Sequence, residues 1–284
     1  MSKVWFITGA SSGIGRALAE EALARGDRTV VTARRADPLK ALEQQHPDAV
    51  LAVPADVTDP EAREAAVSAA LEQFGRIDVL ANVAGGQGAV GAAEELSSGQ
   101  LRDQLELNFF AAAELTRAVL PSMRVRGSGH ILNVTSIAGL TVLAGFSAYG
   151  ASKFALEGWS EALRSEVEPL GIRVTLVEPG GFRTEFSAGK DVRADARIDA
   201  YGPVVDPILE VLRSNDGKQT GDPRKAAQAM ITVVDSEQPP LRLLLGADAI
   251  GYWETKRNAL DADITRWRET GENTAFDQGP AVTS

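Results

Sequence analysis

Strand-like apolar runs that alternate with helix-forming stretches constrain this chain more than any other feature of its 284 residues. The first run, Val4 to Ile7, breaks at Thr8-Gly9 into ASSGIG, after which RALAEEALARG is rich in helix formers and carries an apolar stripe at Ile14, Leu18, Ala22 and Leu23. The pattern then repeats. Strands are predicted over Thr29–Ala33, Val50–Pro54, Ile77–Ala81, the run HILNVT, Val174–Val177 and Leu241–Leu245. Helices are predicted over Pro60–Phe74, about Gln100–Arg124, the run from Tyr149 carrying Leu156, Trp159, Leu163 and Val167, and Pro223–Val234. Strands alternating with helices pair in parallel through right-handed crossovers, which gives a doubly wound α/β sheet with helices on both faces. With 44% apolar residues, one domain over about residues 1–270 can bury its own core.

Charge and composition narrow the chemistry. A net charge of −10 argues against a nucleic-acid or acidic-membrane partner, since phosphate-binding faces need a basic excess. There is no cysteine, and the two histidines, His46 and His130, lie far apart, so a disulfide framework, a thiol nucleophile and a Cys/His zinc site are ruled out and no metal is expected. The apolar run in MSKVWFITG is too short for a signal peptide and no stretch approaches a membrane span. A soluble cytoplasmic protein is expected.

The Gly-rich turn is the first candidate site. Gly9, Gly13 and Gly15 let the backbone turn tightly and approach a pyrophosphate, whose charge the following helix N-terminus would meet. Glycines before a helix can also be purely structural. Arg34-Arg35 end the second strand about 20 positions later, where an acidic residue would hold a ribose 2′-hydroxyl and an arginine suits a 2′-phosphate. This favours NADP(H) over NAD(H), against the simpler reading of two solvated arginines at a strand end.

The second candidate site is the stretch from Thr135 to Lys153. Tyr149 and Lys153 stand four positions apart and share a helix face. An ammonium within a few ångströms favours the phenolate and draws the phenol from about 10 toward neutrality, where it can act as acid or base. Ser136, just after HILNVT, could face the same point. An isolated Tyr-x-x-x-Lys also arises by chance on neighbouring turns.

Other positions carry less definite signals. Asp56 and Asn82-Val83-Ala84-Gly85 follow the third and fourth strands, at the edge where such sheets bind ligands, although Asp56 equally suits a turn or cap. Asn108 interrupts an apolar stripe of Leu101, Leu105, Ala112, Leu115 and Val119, as either a satisfied structural amide or part of a buried relay. Residues 181–207 read as a long loop, a substrate lid, whose Phe182, Phe186 and Tyr201 could wall an apolar pocket with Leu143 and Phe146. Ile250, Trp253, Leu260, Ile264 and Trp267 mark an amphipathic helix over about 248–268, for core or subunit contact, before a loosely held tail from 271 to 284.

Taken together, Thr8-Gly9-x-x-x-Gly13-Ile14-Gly15, Asp56, Asn82-x-Ala84-Gly85, Asn108, Ser136, Tyr149-x-x-x-Lys153 and Pro179-Gly180 resemble the short-chain dehydrogenase/reductase family over about residues 3 to 246. Within it, the chain is similar to the 17β-hydroxysteroid and retinol dehydrogenase-like group and to bacterial ketoreductases. The resemblance implies a Rossmann fold with seven parallel strands, hydride transfer between a nicotinamide and a ketone, aldehyde or alcohol, and homodimers or homotetramers. It implies Tyr149 as proton donor or acceptor, Lys153 as its modulator and ribose ligand, Ser136 on the substrate oxygen and Asn108 holding a relay water. It further implies a cofactor cradle from Gly9, Ser11, Ser12, Gly13, Ile14 and Gly15, with adenine and nicotinamide contacts from Asp56, Val57, Asn82, Ala84, Gly85, Pro179, Gly180, Phe182 and Thr184. Val83 departs from the family pattern, which has a second Asn there. A non-catalytic NADP(H)-binding regulator and a sugar-nucleotide epimerase or dehydratase are the competing readings; the first normally lacks the Tyr or Lys, the second normally has a larger substrate domain.

Overall fold

The computed structural model describes residues 2–186 and 193–276. Seven strands form one parallel sheet: β1 (Val4–Thr8), β2 (Arg28–Ala33), β3 (Val50–Pro54), β4 (Val79–Asn82), β5 (Gly129–Val134), β6 (Ile172–Pro179) and β7 (Arg242–Leu245). Their order across the sheet is β3-β2-β1-β4-β5-β6-β7, so the winding reverses between β1 and β4, the crevice where open sheets of this kind bind ligands. The register sets Ile7 beside Val31 on one side and Ala81 on the other. This brings the loops after β1 and β4 together.

Helices cover both faces, and each face has its own apolar core. On one face α1 (Gly13–Ala24) and α8 (Pro223–Asp235) bury Leu18, Ala22, Ala227 and Met230 against Trp5, Ile7 and Val31. On the other, α3 (Pro60–Phe74), α5 (Ala111–Arg126) and α6 (Ser147–Val167) bury Val67, Leu115, Val119 and Leu163 against Phe6, Leu80 and Ile131. Local chemistry fixes the ends of α3. Asp59 accepts from the Glu61 and Ala62 amides at its start, Pro60 stands in its first turn, and Gly75 terminates it with φ +75°.

The sheet and most boundaries follow the sequence reading, with four departures. Helix α2 (Ala36–Gln45) lies between β2 and β3, where no element was expected. The expected helix around residues 100–124 is a rod of three parts: α4 (Ser98–Leu105), a π-helical segment (Glu106–Phe110) and α5. The expected lid is not all loop, because α7 begins at Gly202 and runs to Ser214, while 187–192 lie outside the described residues. Helix α9 (Ala247–Glu272) is longer than expected, and only Ala249 of it is buried; Leu260, Ile264 and Trp267 are exposed, so this stripe is not core. Of the expected tail, 277–284 lie outside the described residues. Among the described residues no helix is long and apolar enough to cross a membrane.

Candidate active site

The turn between β1 and α1 is built for close approach. Gly9 has φ +68°, and a Cβ on it would lie 3.0 Å from the Ala84 backbone, so the first and fourth loops nearly touch. A Cβ on Gly15 would lie 2.5 Å from the Gly9 carbonyl oxygen, which locks the turn against its own helix. Ser12 begins α1 without a side-chain cap bond, and no acidic residue occupies the first turn. Among the described residues no carboxylate accepts from these backbone donors at the switch point, which fits a pyrophosphate. Arg35 reaches the same turn, donating to Ser11 Oγ at 3.3 Å and pairing with Glu185 at 3.0 Å. Both Arg34 and Arg35 are exposed.

Thr8 turns out to organise the floor between these loops. Its Oγ1 accepts from the backbone amides of Val83 and Ala84, each at 2.9 Å. The departure at Val83 thus leaves this hydrogen bonding intact, because residue 83 takes part through its amide while its side chain packs on the core. Asn82 is nearly fully buried and points its Nδ2 rearward, to Asn133 Oδ1 at 2.8 Å, Thr116 Oγ1 at 3.0 Å and the Ala112 carbonyl at 3.3 Å. The side chain ties β4 to β5 and α5. Asp56 accepts from the amide and hydroxyl of Thr58, and these bonds hold its carboxyl below the usual range. Val57 is buried, and its carbonyl accepts from Arg63.

Asn108 lies in the π-helical segment and is fully committed. Its Nδ2 donates to the Gly86 carbonyl and to Ser152 Oγ, both at 3.0 Å, and its Oδ1 accepts from the Gly86 amide at 3.0 Å. The amide clamps the loop after β4 to α6, and both of its hydrogens are already used in doing so.

Tyr149 and Lys153 share the buried face of α6, and the Lys153 Nζ stands 5.8 Å from the Tyr149 ring centre. Nζ donates to the Val134 carbonyl at the end of β5, at 3.0 Å. Ser136, two residues further, accepts from the Ala138 amide at 3.1 Å, which fixes its hydroxyl at the mouth of the same strand. Burial pushes Tyr149 up to about 12, with Ser136 opposing, and pushes Lys153 down to about 8, with the Glu157 charge opposing. The expected lowering of the phenol is not seen: desolvation outweighs the opposing hydrogen bond from Ser136, so the residues of the chain alone keep Tyr149 a neutral proton donor.

One turn below Lys153 is a group the sequence did not announce. Glu157 and Glu178 are buried, and Arg242 donates to them at 2.6 and 3.3 Å. Burial raises both carboxyls, and the charge of Glu157 raises Glu178 further. Asp248, in the first turn of α9, accepts from the Gly181 amide at 2.7 Å and lies where a Cβ on Gly180 would be, bracing the loop after β6. Neither group stands out in the sequence, because each depends on contacts between distant segments.

Toward the opening, Phe146 and Phe186 approach Tyr149 with ring centres 6.5 and 6.0 Å away. A cavity of about 430 Å³ beside them is lined by Ala92, Val142, Leu143, Tyr201, Val204 and Val205, among others. Tyr201 donates to Glu94 at 2.6 Å. Phe182 is the exception among the expected wall residues, since its ring lies against Gly221 and joins the core with α1 and α8. Thr184 faces Gly13 across the cleft, and its Oγ1 accepts from the Phe186 amide. Glu95, buried and unremarked in the sequence, accepts from the Ala92 and Ile198 amides at 2.7 Å each and so staples the lid to the cavity wall.

A doubly wound parallel sheet with a glycine turn at its switch point and a buried Tyr–Lys pair beside it defines the class of Rossmann-fold oxidoreductases that act on CH–OH groups. Residues 3–194 match the family model described as short chain dehydrogenase. The chain is 38% identical over 270 residues to oxidoreductase BOA17 of Botryotinia fuckeliana, covering 95% of this chain and 98% of that one. Its fold is similar to that of a short-chain dehydrogenase from Streptomyces avermitilis, with a TM-score of 0.89, 45% identity and 97% and 100% of the two chains covered. It is also similar to an alcohol dehydrogenase from the archaeon Thermococcus sibiricus complexed with 5-hydroxy-NADP, with a TM-score of 0.69, 25% identity and 86% and 96% covered. The chain belongs to the short-chain dehydrogenase family.

Proposed function

We propose that this protein is an NADP(H)-preferring oxidoreductase that interconverts a fairly apolar ketone or aldehyde with its alcohol. The observation that carries the reading is the convergence of Tyr149, Lys153 and Ser136 at the end of β5, beside the uncapped start of α1 on one side and the apolar cavity on the other. The backbone amides of the glycine turn hold the pyrophosphate, and Arg34 and Arg35 take the 2′-phosphate. When bound, NADPH supplies the hydride that reduces the carbonyl carbon.

The remaining chemistry belongs to the side chains. Ser136 donates a hydrogen bond to the carbonyl oxygen and so favours the charge that develops there. Tyr149, held neutral by burial, releases its proton to that oxygen as the C–O bond becomes an alcohol, and Lys153 stabilises the resulting phenolate. In the reverse direction Tyr149 accepts the alcohol proton. Val142, Leu143 and Val204 offer contact area without charge, which suits an apolar substituent on the carbonyl.

The test is the loss of reduced-nicotinamide absorbance with NADPH, and separately NADH, against aliphatic, aryl and cyclic ketones. Turnover with NADPH preferred is expected, and Arg34→Ser with Arg35→Ser should raise KM for NADPH by about tenfold while leaving that for NADH nearly unchanged. NADPH binding with no carbonyl reduced would favour a regulatory protein instead, and NADH preference would remove the role given to the two arginines.

A further inference from the structure

Beyond its first turns, α9 leaves the body of the protein. From Tyr252 to Glu272 every residue is exposed except Trp253 and Lys256, which are half-buried, yet the helix carries a continuous apolar stripe. At 100° per residue, Trp253, Leu260 and Trp267 fall within about 20° of one line and Ile264 within about 40° of it. Ile264 is 58% and Trp267 63% exposed. A stripe of this size on a free-standing helix marks an interaction surface.

The charges beside the stripe say what covers it. Arg257 and Asp261 lie on one flank of the Leu260 line, and Lys256 and Asp263 on the other. Consider a second copy of the helix laid antiparallel with its Leu260 opposite Leu260. Residue positions then meet around a twofold axis at Leu260, so Trp253 faces Trp267 of the second copy, and each flank closes on itself. Lys256 meets Asp263 and Arg257 meets Asp261, in both directions. A parallel pairing does the opposite, setting Lys256 beside Arg257 and Asp261 beside Asp263. The pattern is self-complementary in one orientation only.

We propose that α9 is a homodimerisation helix, which pairs antiparallel with α9 of a second copy of this chain about a twofold axis at Leu260. The apolar stripe supplies the seam, and the flanking charges select orientation and register.

The chain has no cysteine, so a single introduced thiol reports one contact without background. On the twofold axis residue 260 meets itself at helix-to-helix packing distance, within reach of a disulfide. The full-length Leu260→Cys variant is therefore expected to form a disulfide-linked dimer under mild oxidation, whereas Thr265→Cys, on the opposite side of the helix, is not. Equal cross-linking of the two overturns the proposal, as does none at Leu260→Cys. A second measurement covers the pairing itself. Lys256→Glu with Arg257→Glu should weaken self-association by about tenfold or more in sedimentation equilibrium, and adding Asp261→Lys with Asp263→Lys should restore it. An unchanged mass in the first variant, or no recovery in the second, overturns the register. NADPH binding by each variant reports that the body remains folded.

Discussion

The rear and the front of the cleft are built on opposite plans. At the rear, Thr8, Asn82, Asn108, Asn133, Ser152 and Ser160 are buried and joined by hydrogen bonds that reach from β1 to α6. These directional bonds hold the backbone around each donor in one position. At the front, Leu143, Phe186 and Val204 are exposed apolar side chains without such partners, and the lid is tied down at Val90, Glu95, Gln100 and Tyr201. Apolar contact is non-directional and tolerates substitution. In the proposed function the contrast separates two duties: the rear would fix where a proton and a cofactor meet, and the front would accommodate what is brought to them.

The largest effect should come from the reacting end of this frame. Tyr149→Phe removes one hydroxyl and is expected to cut kcat by about 10²–10⁴ while leaving NADPH affinity within a factor of about two. Single-turnover kinetics and nucleotide titration check both halves, and full activity would break the assignment. Next is the floor of the rear wall. Thr8→Val keeps shape but strands the Val83 and Ala84 amides, and should cost about 1–3 kcal/mol in denaturant unfolding along with weaker NADPH binding. An unchanged midpoint would show that water replaces the hydroxyl there and that the rear is less rigidly specified than its geometry suggests.

A smaller effect sharpens the electrostatics. Lys153 is lowered to about 8 by burial, and the nearby Glu157 charge acts against that lowering. Glu157→Gln removes the opposing charge, so the ammonium should lose its proton at lower pH. The alkaline limb of kcat/KM for carbonyl reduction is expected to move down by up to about one unit between pH 6 and 10. A limb that stays put or moves up would detach Glu157 from the site. The least effect belongs to the front: Leu143→Ala should change KM by only about two- to fivefold, in a direction that depends on the size of the ketone, with kcat nearly constant. A loss as deep as that of Tyr149→Phe would erase the distinction between the two walls.

Local patterns explain what could be read in the sequence. The strands show as apolar runs, α3 shows through Asp59, Pro60 and Gly75, and the glycine turn and Tyr149-x-x-x-Lys153 carry their chemistry within a few residues. Residues whose surroundings depend on distant partners could not be placed from the sequence. The packing of the Phe182 ring on Gly221 and the bond from Asn82 to Asn133 have no local signal, and Glu95 reads as one acid among many until Ile198 is seen donating to it. Helix α7 was hidden because its Pro203 and Pro207 read as loop residues, although Pro203 sits in the first turn where a missing amide costs nothing.

The π-helical segment at Glu106–Phe110 shows that the site is spelled by a count as well as by residue types. Five residues there occupy a wider turn, so α4 and α5 run in different reading frames along one rod. Removing one neighbour of Asn108 from that segment would close the wide turn into an α-helical one and merge the frames, so that α4 and α5 keep their faces while the side chains within the turn are re-aimed around the rod. No side chain in the rear wall would have been changed in identity, yet Asn108 could no longer reach both Gly86 and Ser152. The rod is a spacer whose length in residues, not only in ångströms, is part of the catalytic design.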